Sequence, residues 1–366
     1  MVTGQKILKL FSVNVLIFLF LIGSIEILFG SWRRIFFNNQ YMQIPSLIRS
    51  STLKYDGRWI YSSNKPIRII YIRDQLGYRS RDTKSNKPKI LTIGGSTTDN
   101  RFVTEGETWQ DILDAKLPKY DFINGGVDGQ SSFGHKISIA KWHSKSLNPE
   151  SVEFIIFYIG INDVHLLRGE LNDYDMPQSK KRYFKNFLKA NSFFVKRLLI
   201  LRNRIWFALD LINDNFEDVQ FGHRKRSLGF LEKGIEYQIS ESFDLSSYQK
   251  YGEIFTGLIS QTKKYFPKTK ILIIQQQIPG CEFQNKSIVL DIHPGENKRF
   301  CEDLMKVYTV QEKIFKNHFL NDGKVKIYPM YLDSYLLEED VYDYVHANKN
   351  GSKKIAEYIE MIKILN

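Results

Sequence analysis

The 366-residue chain has little cysteine: only Cys281 and Cys301 are present. Two thiols cannot build a disulfide framework or a four-thiolate zinc site. A single bridge between them and a pair of unpaired buried thiols stay equally open. His135, His143, His165, His223, His293 and His318 have no ligand-like spacing with cysteine or carboxylate, so they read as ordinary core or surface histidines. No metal and no cofactor is expected. Internal repeats and low-complexity tracts are also missing, and no glycine-rich loop ends in G-K-[ST], which argues against a cradle for a nucleotide phosphate. Acidic residues fall short of basic ones, 40 against 52, leaving a net charge of +12. Lipid headgroups, acidic glycans and nucleic acid are all compatible with that charge. Nucleic acid has nothing but charge in its favour, and it is not an expected partner.

One long apolar run stands out. Leu10 to Phe29 is interrupted only by Ser12, Asn14, Gly23, Ser24 and Glu26, and about 20 residues of helix match the apolar thickness of a bilayer. The run exceeds the apolar region of a secretory signal, roughly 7 to 15 residues, and no A-x-A-like site closes it. It therefore reads as a single uncleaved membrane anchor. Lys6, Lys9 and the terminal amine against Arg33 and Arg34 lean towards a cytoplasmic amino terminus. The expected division is residues 1–35 as anchor, 36–86 as an irregular stalk with a lead-in strand at Ile67 to Asp74, and 87–366 as one domain.

Within that domain strands and helices alternate. Lys89 to Ile93, Tyr120 to Asn124, Val152 to Ile159, Lys270 to Gln275 and Val325 to Met330 read as strands. Helical patterns cover Thr108 to Leu117, Phe133 to Leu147, Ser247 to Phe266, Asp291 to Asn317 and Gly351 to Leu365. In the second of these Ile137 and Ala140, with Trp142 or Ser144, are placed on the inner face. The expected fold is α/β: a three-layer αβα sandwich on a parallel sheet of about five strands. Around 170–240 the alternation stops, and Lys180 to Asp210 is helical in pattern, aromatic and basic. That insertion reads as a solvated helical hairpin, a lid, a membrane-surface helix or a grip on an acidic polymer.

Chemistry-bearing residues gather at strand ends, where parallel sheets bind ligands. Gly94-Gly95-Ser96 follows the first strand of the domain, and its serine is presented either as a nucleophile or as a helix cap. Asp343 and His346 are three apart, so the carboxylate can orient the imidazole while the other ring nitrogen serves as base. Gly129 offers an unshielded backbone N–H and Asn162 a side-chain amide. With the N–H of Ser96 these are three donors for an oxyanion, each worth roughly 3 to 4 kcal/mol of barrier. Gly94-Gly95-Ser96-Thr97-Thr98 fails G-x-S-x-G at its last position, which disfavours an α/β-hydrolase elbow. Asp99 and Asp163 are the carboxylates near enough to be weighed as a cation site.

Taken in order, Gly94-Gly95-Ser96, Gly129 within Asn124 to Gly129, Gly160-x-Asn162-Asp163 and Asp343-x-x-His346 resemble blocks I, II, III and V of the SGNH (GDSL) hydrolases. The resemblance spans roughly Lys87 to Asn366, with Gly95 in place of the aspartate of GDSL. It implies a serine esterase of flavodoxin-like fold, with catalytic residues Ser96, His346 and Asp343 and an oxyanion hole of Ser96, Gly129 and Asn162; Asp163 would be structural. It further implies an O-acyl ester of a carbohydrate or lipid as substrate. The anchor, the lead-in strand and the Leu76-Gly77-Tyr78-Arg79 turn are similar to membrane-anchored bacterial members with an extracytoplasmic (periplasmic) domain, often associated with surface polysaccharide. Acyl transfer, or an idle glycan-binding or accessory role, is the alternative.

Overall fold

The computed structural model describes residues 4–30, 51–79, 85–170, 235–238, 248–333 and 335–362, with short gaps inside those ranges, and scattered positions in 44–47 and 188–201. The chain divides into two compact units, one of Met1–Gln43 with Pro177–Gln220 and one of Ile44–Met176 with Phe221–Asn366. The first contains helix α1 (Gly4–Phe29). Its stretch Lys9–Phe29 is 21 residues long and apolar enough to cross a membrane. At 1.5 Å per residue it extends about 31 Å. The expected helical character of Lys180 to Asp210 falls almost wholly outside the described residues.

The second unit opens with β1 (Ser51–Asp56) and β2 (Arg68–Arg73), paired antiparallel with Ser51 opposite Arg73. The lead-in is thus a hairpin where the sequence suggests a stalk and one strand. Then follow β3 (Lys89–Gly94), the four-residue helix α2 (Ser96–Asp99), α3 (Trp109–Lys116), β4 (Asp121–Asn124), α4 (Ser132–Ser138), β5 (Val152–Ile159) and α5 (Asp163–Leu167). After β6 (Ile235–Gln238) come α6 (Gln249–Tyr265), β7 (Lys270–Gln275), β8 (Glu282–Gln284), β9 (Ser287–Leu290), α7 (Glu296–His318), β10 (Val325–Tyr328) and α8 (Lys349–Met361).

Five parallel strands form the central sheet in the order β10-β7-β5-β3-β4. Its strands read as unbroken apolar runs because both faces are covered: every residue of β3 is buried, as is all of β5 except Glu153. One face carries Ile90, Phe122, Phe154, Ile156, Leu272 and Ile274, packed with Trp109 and Leu113 of α3 and Ile355, Tyr358 and Ile359 of α8. Burying each of those isoleucines contributes roughly 1.5–3 kcal/mol. The helix α6, packed against α4 and α7, belongs to the other layer. Helix α3 starts at a capping box in which Thr108 accepts from the N–H of Asp111 and the Asp111 carboxylate accepts from the N–H of Thr108.

Helix α4 differs from its sequence pattern. It passes into a π-turn over Ile139–His143, which adds a residue to the turn and rotates the side chains beyond it around the helix axis. The buried positions are His135, Ser138, Ile139, Trp142 and His143, so the inner face includes Trp142 as expected, while Ile137, Ala140 and Ser144 are only partly covered. Cys281 and Cys301 form a disulfide across the segment that holds β8 and β9.

The strand order also fixes where a site can lie. From β3 the chain steps to β4 on one side and then returns to β5 on the other, so β3 is the switch strand of the sheet. Ligands bind at the carboxyl end of such a strand. Ser96 follows that end directly.

Candidate active site

Among Lys89 to Asn100 every residue is buried except Ser96, which is partly exposed at the first position of α2. Gly95 precedes it, and a side chain there would displace a neighbour. A Cβ there would lie 2.1 Å from Asn162 Nδ2 and 3.1 Å from the Gln130 carbonyl oxygen. The aspartate of the GDSL pattern would have to displace the Asn162 amide, which donates to the Gln130 carbonyl at 2.8 Å.

Ser96 meets here a pair of side chains from about 250 residues further along the chain. The Ser96 Oγ lies 2.7 Å from His346 Nε2, and His346 Nδ1 lies 2.6 Å from Asp343 Oδ2. The other Asp343 oxygen accepts from the N–H groups of Val345 and His346, both at 2.8 Å. A carboxylate can only accept, so Nδ1 carries the proton and Nε2 is left to accept from the serine hydroxyl. The imidazole is 8% exposed and stacks on Tyr342 with ring centroids 5.5 Å apart and planes 9° from parallel. An antiparallel bridge between Val341 and Ala347 closes the loop that carries it. Burial and closure together hold the ring between Ser96 and Asp343.

The remaining sequence-selected residues surround this chain. Asn162 stands beside Gly95, one residue from the serine. Gly129 sits in the second glycine-bearing turn with φ +74°, a left-handed backbone that favours glycine. Asp163 is buried, and its oxygens accept from the Ser132 N–H (2.7 Å), the Ser132 hydroxyl (2.6 Å) and the Tyr251 hydroxyl (2.9 Å). It ties the third turn to the second, a structural part. Asp99 is likewise occupied by protein donors, so neither carboxylate is open to a cation.

Several residues that the sequence does not single out brace the site. Arg73, at the end of β2, donates through Nη2 to Asp99 Oδ1 (2.5 Å) and the Gly126 carbonyl (2.6 Å), through Nη1 to the Gly77 carbonyl (2.7 Å), and through Nε to the Tyr71 hydroxyl (2.7 Å). One buried guanidinium so joins the hairpin, the helix that starts with Ser96 and the turn that leads to Gly129. Arg79 holds the end of that helix through the carbonyls of Asp99, Asn100 and Val103. Burial pushes the Asp99 carboxyl up, but the Arg73, Arg101 and Arg79 charges outweigh it and hold the group below its ordinary value. Gln276, just after β7, accepts from the Ile161 N–H at 3.1 Å and donates to Thr97. The only sequence signal for these braces is placement: arginines in an otherwise apolar strand, and glutamines at a buried strand's end.

No model of a known protein family and no curated protein sequence matches the chain. Its neighbours among solved structures include GDSL-type hydrolases and carbohydrate esterases. A GDSL-like lipase from Bacteroides ovatus is 11% identical at TM-score 0.40 over 75% of this chain, which spans 52% of that one. Est24, a carbohydrate acetylesterase from Sinorhizobium meliloti, is 11% identical at TM-score 0.40, covering 76% of this chain and all of its own, 100%. A family 3 carbohydrate esterase from Clostridium thermocellum is 13% identical at TM-score 0.39, over 76% of this chain and 98% of that one.

Proposed function

We propose that the chain is a serine esterase that works through an acyl-enzyme. The observation that carries this reading is the continuous hydrogen-bonded line from Ser96 Oγ through His346 to Asp343 at the end of the switch strand. A serine hydroxyl near neutral pH needs a base to become a nucleophile, and a base needs its ring held in one tautomer. Ser96 attacks the ester carbonyl carbon as its proton passes to His346 Nε2. Asp343 stabilises the imidazolium by accepting from Nδ1, without taking the proton. The carbonyl oxygen becomes an oxyanion, for which the Ser96 and Gly129 N–H groups and the Asn162 amide are the donors. Collapse expels the alcohol, which leaves with the proton from His346. A second cycle, with water or another hydroxyl as attacker, returns free Ser96.

The substrate is an O-acyl ester, of a carbohydrate or a lipid, presented near a membrane. Two features support that setting: α1 is long and apolar enough to span a bilayer, and the Cys281–Cys301 disulfide suits an oxidising, extracytoplasmic compartment. The test is hydrolysis of p-nitrophenyl acetate by the wild type against Ser96→Ala and His346→Ala. Loss of turnover in both variants supports the reading, and full turnover in Ser96→Ala refutes it.

A further inference from the structure

The span Lys9–Phe29 carries one carboxylate, Glu26. An ionisable group on a membrane helix is costly unless it meets a specific partner. Glu26 has one within its own unit. Its oxygens accept from the Ser192 hydroxyl, from the Phe193 N–H at 2.9 Å and from the Phe194 N–H at 3.1 Å. The buried Ser192 hydroxyl in turn accepts from the Val195 N–H at 3.1 Å. Every amide of this first helical turn, 193–195, is thus satisfied by Ser192 and by the anchor. Ring contact adds to the join, with Phe29 and Phe193 centroids 5.6 Å apart.

These bonds fix depth. Glu26 is three residues short of the end of the span, about 5 Å along the helix axis, so the segment starting at Ser192 is held at the edge of the apolar slab. Phe29, Leu198 and Leu201 are exposed there at 66%, 63% and 53%. Arg197 lies over the Phe193 ring at 5.3 Å, and Lys185, Lys189, Lys196, Arg202 and Arg204 flank it in the sequence. Apolar side chains beside Arg197 at that depth, in a basic stretch of sequence, suit an acyl-chain boundary under anionic headgroups.

We propose that 192–201 is a membrane-surface element, locked to the anchor by Glu26 and seated on a bilayer with anionic headgroups. It belongs with the anchor and does not act as a lid or as a grip on a soluble polymer. The inference rests on the reading of α1 as an uncleaved anchor. Removal of α1 as a signal sequence would strip Ser192, Phe193 and Phe194 of their acceptor. It is independent of the chemistry at Ser96.

The test uses the full chain in vesicles of phosphatidylcholine, with and without phosphatidylglycerol, and nitroxide labels at Phe20→Cys, Leu198→Cys and, for reference, Lys268→Cys, whose native side chain is 75% exposed. Collision with a water-soluble nickel chelate is expected to be several-fold lower at positions 20 and 198 than at 268, and lower still at 198 with the anionic lipid. In the Glu26→Ala background the label at 198 is expected to return towards the rate at 268 while the label at 20 stays shielded. Shielding at 20 with free collision at 198 overturns the inference and leaves the anchor standing. Free collision at both overturns the anchor reading and the inference with it. Equal values in the two lipids overturn the headgroup contribution, and a label at 198 still shielded in Glu26→Ala overturns the lock.

Discussion

Replacing Arg73 by methionine isolates the brace behind the site, because methionine keeps the length of the side chain and removes its charge and all its donors. The Arg73 and Asp99 side chains are 2% and 1% exposed, with N and O atoms 2.5 Å apart. Lys268 and Glu150 approach to the same 2.5 Å with 75% and 56% exposure. Distance is equal and burial is opposite, so burial decides the magnitude. An exposed pair contributes at most about 1 kcal/mol, whereas removing one partner of a buried pair costs about 3–5 kcal/mol because the other charge stays behind unpaired. Tyr71 at 2.8 Å and Arg101 at 3.4 Å still face Asp99, which lowers the loss; the carbonyls of Gly126 and Gly77 lose a donor, which raises it by about 1 kcal/mol each. The expected destabilisation of Arg73→Met is therefore about 3–5 kcal/mol by urea unfolding at neutral pH, and Lys268→Met is expected to cost under about 1 kcal/mol. Adding Asp99→Asn to Arg73→Met is expected to restore part of the loss by removing the stranded charge. A cost under about 1 kcal/mol for Arg73→Met, or two losses that simply add, refutes the reasoning.

Three further outcomes rest on the same structure. Reducing the Cys281–Cys301 bond, which closes a loop of 20 residues in separation, is expected to cost about 3 kcal/mol, and maleimide is expected to label the chain only after reduction; thiols reactive beforehand contradict the bridge. Gly95→Asp puts a side chain where Asn162 Nδ2 stands 2.1 Å away, so kcat for ester hydrolysis is expected to fall about 100-fold or more, the scale of one lost oxyanion donor; unchanged turnover removes Asn162 from the account. Burial pushes His135 down to about 3, and a folded value depressed below about 6.5 means that its stabilising contribution is complete above that pH and is lost as the pH falls towards 3, at most about 5 kcal/mol. The depressed Asp99 carboxyl acts in the same direction at lower pH. His135→Gln is expected to flatten the urea midpoint's fall with acid between those limits, and an unaltered slope refutes this.

How far the sequence can be read differs by element. The strands β3, β5 and β7 are legible because an unbroken run such as Val152–Ile159 has only one use, the middle of a sheet covered on both faces. The residues that meet at Ser96 are legible because glycines and polar groups stand at three of the strand ends and in the late loop before α8. Strand β1 is not: Ser51–Asp56 is short, half polar and alternately exposed, and it becomes a strand only by pairing with β2. The inner face of α4 departs from its pattern because polar His135, Ser138 and His143 are buried beside Ile139 and Trp142, with Ser138 bonded to Gln130 and His143 to Tyr78, and an apolar count passes over them. Beyond their placement nothing marks Arg73 and Gln276 as braces, because the groups they tie to the site, Asp99 and Gly126 for Arg73 and Ile161 and Thr97 for Gln276, are 26 and 115 or more residues away. The cysteine pair is undecidable from spacing, as a bridge depends on where the loop after β7 turns relative to α7.

The central claim is that Ser96 is a nucleophile activated by His346. The measurement that reaches it most directly is covalent labelling with a serine-reactive fluorophosphonate, followed by mass mapping of the modified peptide. One label per chain at Ser96 in the wild type, none in Ser96→Ala and sharply slowed labelling in His346→Ala are expected. Equal labelling of the wild type and Ser96→Ala, or modification mapped to another serine, contradicts the account.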